Sequence, residues 1–514
     1  MQAPNTMVQT MAGRLESARI FAPAAADRWL YAAILLAALL IRLPVAGDLN
    51  YHIDEGFYLL VGERMRDGLL PYLDIWDRKP FGLFLLYWLI ATLGNGSMIA
   101  VHLAAGICAA ATAMLVAKIA RRWVAPLPAG LAAISYLAGL EALAGGGGQS
   151  PVFYNLPVVA MAALTLKAGD ASVLARFRQP AMAAVLCGGM ALTIKQTSLP
   201  ECLFFGIVLV TNARRLTQST TTVVREALLL ACLGALPTFA CLCFFAAIGQ
   251  GGSYLFATLL SSFGRAPMAG TEQLALALYL APRILPLASM ALAGVLLLLR
   301  DPSRPSHAGI LAGWIAAATA GFLIVPNFYD HYALPLLPSL CVSAAPLFAR
   351  RPLGPVFALL SVGTALILAG WPAFDRTRKS NEAMQAGART ITVHGGSGSL
   401  YVFDGPVHLY TLTRAPLPTR WAFPEHLSSG EERYATGADA TAELARILHT
   451  RPAVIVAADA PGPRHPNPVA WRLMRATLAR HYTPVKNIVM PEFAGARTIR
   501  LFARSIDRRA APHL

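Results

Sequence analysis

Long apolar segments recur through the first 371 residues, so the chain must bury most of them in lipid or in protein. A helix needs about 20 apolar residues to cross a bilayer, and by this measure we predict about eleven transmembrane helices. Only 14% of the residues are charged, whereas soluble domains carry about 25%. The sequence therefore predicts a polytopic α-helical membrane protein. The predicted spans lie at residues 29–47, 98–118, 127–143, 152–168, 181–196, 198–212, 227–248, 280–299, 308–326, 333–348 and 353–371.

The formal net charge of +16 comes mainly from lysine and arginine in short loops between spans and in the C-terminal part of the chain. In a soluble protein such an excess would indicate a nucleic-acid partner. Here every second loop is basic, which is the pattern of cytoplasmic loops in membrane proteins. We therefore predict no nucleic-acid partner, a cytoplasmic tail at residues 1–28, and a transmembrane domain at residues 29–371 whose first external loop is 48–97. The seven cysteines lie in or beside apolar segments and show no metal-binding CxxC spacing.

The composition changes near Trp371, where the apolar segments end. Strand-like segments at 400–403, 453–457 and 498–502 alternate with helix-like segments near 438–449 and 467–481. This alternation predicts a small α/β domain at residues 372–514. An odd number of spans places that domain on the extracytoplasmic side.

The first external loop begins with Tyr51-His52-Ile53-Asp54-Glu55, directly after the first span. Charge beside hydrocarbon is unfavourable, so acidic residues at this position indicate chemistry or an ionic partner. One carboxylate of the Asp54–Glu55 pair could act as the general base that takes a proton from an acceptor hydroxyl. The alternative is structural, because a loop end or a helix cap also favours acidic residues.

The same loop continues with Asp77-Arg78-Lys79-Pro80 and then an apolar segment, Phe81–Leu93, too short to span a bilayer. We expect that segment to form an interfacial or re-entrant helix that begins at the proline. Lys79, helped by Arg78, could neutralise a phosphate at the membrane surface. Both cations could instead anchor the loop to lipid headgroups. His52 and Asp77 are further candidates for contacts with a sugar or an acceptor.

Three later residues are also candidates. Lys195 lies on the predicted outer side, against the positive-inside pattern, and could be a second phosphate contact or a lysine that reaches to the interface. His331, beside Tyr332, could orient a phosphate or complete a metal site, or it could be structural.

The glycine run at 145–148 lacks the lysine of a P-loop, and we expect it to allow a tight turn. Arg265 flanks an external loop that fits either a lipid groove or ordinary packing.

The first-loop pattern, with its acidic pair, Leu70-Pro71-Tyr72-Leu73-Asp74 and Asp77-Arg78-Lys79-Pro80, resembles that of the GT-C glycosyltransferases. It is similar in particular to bacterial members such as dolichyl-phosphate-mannose–protein mannosyltransferase-like and aminoarabinose transferase-like enzymes. The resemblance covers most of the membrane part. It implies a polyprenyl-phosphate-linked sugar donor, used at the outer face of the bacterial cytoplasmic membrane. The acceptor would be a hydroxyl of a lipid, glycan or protein, and the sugar would be transferred with inversion.

Carried residue by residue, the resemblance implies that Asp54 is the base, Lys79 the clamp on the donor phosphate, and Lys195 a second contact. Tyr332 resembles the tyrosine of a later Arg-Tyr-x-x-Pro element, which would place it near the same phosphate. Two departures stand out. Arg78 occupies a position where some relatives have an acid, which favours a basic clamp and leaves a divalent metal open. His331 replaces the arginine that usually precedes the tyrosine.

Two other classes of function remain open from the sequence. A lipid or glycan transporter or flippase would place ionisable residues near the middle of several spans and break helices there. In this sequence the charges gather at span ends, and Arg42, near the outer end of the first span, is the main exception. A non-catalytic scaffold would not depend on the Asp54 carboxylate.

Overall fold

The computed structural model describes residues 25–301, 305–325, 327–395, 399–492 and 495–505. Each of the eleven predicted spans coincides with a helix, and the short segment before residue 94 is helical as well. Most of the predicted cytoplasmic tail lies outside the described residues. The helices of this part are α1 Ala25–Arg42, α2 Ile53–Arg66, α3 Phe81–Leu93, α4 Met98–Ala120, α5 Pro126–Ala142, α6 Ser150–Gly169, α7 Leu174–Ile194, α8 Leu199–Leu216, α9 Thr220–Ala247, α10 Gly251–Leu255, α11 Gly270–Leu299, α12 Pro305–Leu323, α13 Leu336–Phe348 and α14 Leu353–Leu368.

Among the described residues, five helices are long and apolar enough to cross a membrane: α1, α4, α6, α9 and α11. Four shorter apolar helices, α3, α12, α13 and α14, pack with them. Large apolar side chains such as Leu36, Leu39, Leu278 and Leu285 are more than half exposed on the outside of the bundle. Surfaces of this kind are stable against lipid and unfavourable in water. The predicted class, a polytopic helical membrane protein, is confirmed.

Ion pairs hold together the end of the bundle that carries the basic loops. Arg121, after α4, lies 3.2 Å from Asp27 at the start of α1. Arg122 bonds the carboxylate of Asp170, after α6, at 2.5 Å. The loops that follow the second and fourth predicted spans therefore meet at one end, as the charge pattern predicts. Their cytoplasmic location stays a prediction.

A small α/β domain follows the bundle, and its sheet has the strand order β1-β2-β4-β3. Strands β1 and β2 are parallel, and β4 runs antiparallel to both of its neighbours. The three predicted strands are present, but the sequence did not predict β3 or the long helix α15 that precedes the sheet. The elements are α15 Phe374–Gly395, β1 Leu400–Val402, α16 Leu409–Thr413, α17 Glu425–Ser428, α18 Ala440–His449, β2 Val454–Ala458, α19 Pro468–His481, β3 Tyr482–Glu492 and β4 Gly495–Arg504.

The α/β domain rests on the first external loop. Ser380 of α15 donates a hydrogen bond to the buried Asp48 carboxylate, just after α1, at 2.5 Å. The Trp76 amide, in the same loop, donates to the carbonyl oxygen of Arg420 at 2.8 Å. The loop and the domain therefore lie at the same end of the helical bundle. Any site between them is formed by both parts of the chain.

Candidate active site

The start of α2 positions the two acidic residues of the first loop. His52 precedes the helix, and its Nδ1 accepts a hydrogen bond from the Asp54 amide at 3.2 Å. Carboxylates in a first helical turn are favoured by the positive end of the helix dipole. Successive residues on a helix point about 100° apart, so Asp54 and Glu55 face different surroundings.

Asp54 faces a cavity of about 240 Å³ between the first loop, the loop before α13, and the α/β domain. Seven of the nine residues predicted from the sequence lie on its wall. Of the other two, Lys195 contacts a wall residue and Glu55 points elsewhere. The cavity is lined by His52, Ile53, Asp54, Asp77, Arg78, Lys79, Arg265, Tyr329, Asp330, His331, Tyr332, Phe423, Glu425, His426 and Glu432.

Glu55 is fully buried behind this cavity, where its carboxylate connects α2 with α4 and the glycine run. The Gly47 amide donates to His102 Nδ1 at 2.9 Å, so His102 Nε2 carries the hydrogen and donates to the Glu55 carboxylate at 3.2 Å. The Gly148 amide donates to the other carboxylate oxygen. The structure therefore does not bring Glu55 to the cavity beside Asp54, which differs from the prediction that both are catalytic.

The glycine run at 145–148 is needed for close approach of polar groups. A Cβ atom on Gly147 would lie 2.2 Å from Glu55 Oε2, and one on Gly148 would lie 2.4 Å from the Tyr87 hydroxyl. Arg42 donates to three carbonyl oxygens of the run at 2.6–3.2 Å. The run lies in the short connection between α5 and α6, where the sequence predicts a tight turn, and these contacts are an additional constraint on it. They explain the arginine at the end of the first span, which fixes the loop behind α2.

Lys79 is held by its own backbone contacts. Asp77 Oδ1 accepts a hydrogen bond from the Lys79 amide, and the Tyr72 hydroxyl donates to the Lys79 carbonyl oxygen, both at 2.8 Å. Burial lowers the pKa of the Lys79 ammonium, but the Asp54 and Asp77 carboxylates outweigh burial, and the net shift is upward. Lys79 is therefore a cation at neutral pH.

The carboxylate of Asp54 remains ionised beside it. Burial raises the pKa of Asp54, but the basic groups around it, with Lys79 as the cation at neutral pH, outweigh burial and hold it well below the usual range. Burial also lowers the pKa of His331 to about 4. At neutral pH His331 is thus uncharged, and Lys79 is the principal cation that faces the Asp54 carboxylate.

His331 and Tyr332 form one side of the cavity. His331 Nε2 lies 3.8 Å from Asp54 Oδ2, and its Nδ1 lies 3.3 Å from the neighbouring Asp330 carboxylate. Lys195 Nζ lies 4.4 Å from the centre of the Tyr332 ring, a cation–π contact that places a second cation behind this wall. Because His331 is neutral, any phosphate contact it makes would be a hydrogen bond and not an ion pair.

Arg78 is engaged with the α/β domain. Its guanidinium donates a bidentate pair of hydrogen bonds to the Glu432 carboxylate. Arg265 Nε lies 3.0 Å from Oε1 of the same carboxylate. Burial raises the pKa of Glu432, but the two arginines outweigh burial and lower it to about 2. We predicted that Arg78 assists Lys79 in neutralising a phosphate. The Arg78 guanidinium is instead paired with Glu432, a partner that the sequence did not indicate.

Glu425 is another wall residue that no sequence motif predicts. Burial, followed by the nearby charges of Asp54 and Glu432, raises the pKa of its carboxyl to about 7. Neither Glu425 nor Glu432 belongs to a local motif, and each reaches the cavity only because the α/β domain folds back onto the first loop. Among the described residues, no group of three or more His, Cys, Asp or Glu is placed to hold a metal ion.

No protein-family model matches this sequence, and no curated protein matches it. The fold is similar to two crystal structures of ArnT from Cupriavidus metallidurans, one bound to undecaprenyl phosphate and one in the apo state. Each is 17% identical over 95% of this chain and 100% of ArnT, with TM-scores of 0.61 and 0.63. An oligosaccharyltransferase from Archaeoglobus fulgidus is 11% identical over 84% of this chain and 69% of its own, with a TM-score of 0.45.

The chain therefore has the fold of the GT-C membrane glycosyltransferases, as its first-loop motifs predict. The full-length match to ArnT, an aminoarabinose transferase, includes the C-terminal α/β domain as well as the helical bundle.

Proposed function

We propose that this protein is a glycosyltransferase that takes a sugar from a polyprenyl-phosphate donor and transfers it to a hydroxyl of a lipid, glycan or protein acceptor. One observation carries the proposal. The Asp54 carboxylate and the Lys79 ammonium line one cavity, beside the membrane bundle, in a fold shared with a protein crystallised with undecaprenyl phosphate. The proposed location is the outer face of a bacterial cytoplasmic membrane.

Lys79 is the proposed clamp on the donor phosphate. A buried ammonium attracts a phosphate more strongly than an exposed one, because little water screens the two charges. Lys195, behind the Tyr332 ring, adds a second positive charge on the same side of the cavity. These cations would stabilise the negative charge that grows on the departing lipid phosphate.

Asp54 is the proposed general base. The acceptor oxygen attacks the anomeric carbon of the donor sugar, and the bond from that carbon to the phosphate oxygen breaks. The proton of the acceptor hydroxyl passes to the Asp54 carboxylate, and the bonding electrons leave with the phosphate. Attack from the face opposite the phosphate would invert the anomeric centre. The leaving group is already a good anion, so this step needs no protonated acid.

A transporter or flippase is the alternative. It would require the fold to open alternately to both sides, whereas the charged residues that line the Asp54 cavity lie at one end of the bundle. Arg42, the exception noted in the sequence, is occupied by the carbonyl oxygens of the glycine run. These contacts favour the enzymatic proposal.

The experiment compares cells that lack the protein with cells that carry the wild type, Asp54→Asn or Asp67→Asn. Lipids and glycans are profiled by mass spectrometry, and a sugar missing from one product names the reaction. We expect Asp54→Asn to give the deletion profile at normal protein level. Asp67→Asn is the matched control, because Asp67 directly follows the same helix and is 62% exposed. Normal product from Asp54→Asn would remove Asp54 as the base.

A binding measurement tests the donor side separately. Undecaprenyl phosphate is titrated into the purified full-length protein, in wild-type form and as Lys79→Met. Loss of one charge-assisted contact is expected to weaken binding about tenfold or more. Lys379→Met, at a lysine that is 60% exposed on α15, is the control and should bind normally. Equal affinities for wild type and Lys79→Met would remove the clamp.

The motifs of the first loop and the shared fold support these assignments together. The lipid and glycan profile would identify the sugar and the acceptor.

A further inference from the structure

A second and larger cavity adjoins the Asp54 cavity. Its volume is about 640 Å³, within the range of about 300–1,000 Å³ typical of ligand sites. It lies between the end of the first span, the start of α11 and the α/β domain. The two cavities share a wall formed by five residues: His52, Ile53, Tyr329, Asp330 and Glu425.

The larger cavity has the chemistry of a saccharide site. Tyr279 and Tyr329 line it together with basic and acidic side chains. Two of its carboxylates are already occupied: Asp404 pairs with Arg497 at 2.5 Å, and Asp48 accepts from Ser380. A wall of this kind can stack against sugar rings while its remaining polar groups bond hydroxyls.

Arg464 places a guanidinium without an ion-pair partner among the described residues on the wall of this cavity. Its side chain is exposed there. Its loop is nevertheless anchored on both sides. The Gly462 amide donates to Asp404 at 2.8 Å, and His465 Nε2 lies 2.7 Å from the Glu272 carboxylate near the start of α11. A cation on a fixed loop is preorganised for an anion.

We propose that this cavity binds the acceptor and that the acceptor is a saccharide with an acidic group, held at Arg464. The inference rests on the proposed glycosyltransferase function, because the shared wall would let an acceptor hydroxyl reach Asp54. Neutral saccharides fill the same space but leave Arg464 without a partner. The cavity therefore selects for charge on the acceptor.

The test is calorimetric titration of purified full-length protein with galacturonic acid trisaccharide and, separately, with neutral maltotriose. We expect the acidic trisaccharide to bind at least tenfold more tightly, and Arg464→Gln to remove that preference. Arg472→Gln, at an exposed arginine of the same domain that lines neither cavity, should keep it. Equal binding of both sugars, binding of neither, or the same result from both variants would overturn the proposal.

A blocking variant tests the cavity itself without altering charge. Ala275→Trp, on the wall at α11, should abolish binding of the acidic trisaccharide. Leu278→Trp, 64% exposed on the same helix and outside the cavity, should not. Undecaprenyl phosphate should bind all four variants normally. If the acidic trisaccharide still binds both tryptophan variants, this site is refuted. If the wild type does not bind undecaprenyl phosphate, the proposed function is refuted instead.

Discussion

We expect the ion pairs of Glu432 with Arg78 and Arg265 to hold the α/β domain over the Asp54 cavity. Glu432→Gln should weaken this contact. The carboxylate is 3% exposed and each arginine 17%. The pKa of Glu432 falls from the usual 4.5 to about 2. At about 1.4 kcal/mol for each pKa unit, the cluster stabilises the ionised carboxylate by about 3 kcal/mol. The amide variant should therefore open this contact about 100-fold more often.

Hydrogen exchange measures that opening at two backbone amides. The Trp76 amide donates to the Arg420 carbonyl oxygen at 2.8 Å, and the Ala266 amide donates to that of Glu431 at 3.0 Å. Both bonds cross the contact, so both amides should exchange about 100-fold faster in Glu432→Gln at pH 7. Because the folded pKa is depressed, the stabilisation is present above pH 4.5. It is lost as the pH falls from 4.5 towards 2.

An exposed ion pair supplies the control. Glu382 pairs with Arg378 on α15, and both side chains are at least 60% exposed, so Glu382→Gln should change stability by at most about 1 kcal/mol. The reasoning is refuted if the two glutamine variants accelerate exchange of the Trp76 and Ala266 amides equally.

Three further predictions concern the site. Gly147→Ala should destabilise the protein by about 1–3 kcal/mol in thermal unfolding, because its Cβ would lie 2.2 Å from the Glu55 carboxylate. The folded pKa of Glu425 is raised to about 7, so the wild type should lose about 1–3 kcal/mol of stability as the pH rises from 4.5 to 7. Glu425→Gln should not show this loss. His331→Asn should change undecaprenyl phosphate affinity less than threefold at pH 7, while Lys79→Met changes it about tenfold, because His331 is neutral there.

A specific result would contradict each of these three predictions. Gly206→Ala is the control for the glycine run, since a Cβ at Gly206 meets nothing within 4 Å, and equal stability of both alanine variants would contradict the close-approach argument. A pH profile unchanged by Glu425→Gln would show that the carboxyl is not buried as described. A large loss of affinity in His331→Asn would show that the histidine carries charge when phosphate binds.

The spans could be predicted because each depends on its own residues. A segment of about 20 apolar residues forms a helix in lipid whatever its neighbours are, and all eleven segments are helical. Strand β3 was missed for a local reason. Pro484 and Pro491 interrupt its pattern, yet prolines are tolerated at the edge of a sheet, which is where β3 lies.

The candidate site divides along the same line. Asp54 and Lys79 could be predicted because they lie in one loop beside the membrane. Glu432 could not, because it pairs with Arg78 across 354 positions of sequence and only the folded α/β domain brings them together. Glu55 is the opposite case. Adjacency in sequence suggested a role shared with Asp54, whereas the helix turns the two side chains towards different surroundings.

The position of a bound donor phosphate tests the central claim most directly. A cryo-electron microscopy structure of the full-length protein with undecaprenyl phosphate would locate it. We predict that the phosphate lies in the 240 Å³ cavity, about 3 Å from Lys79 Nζ, with the Asp54 carboxylate facing the same space. A phosphate bound outside this cavity, with Lys79 in contact only with protein groups, would contradict the account.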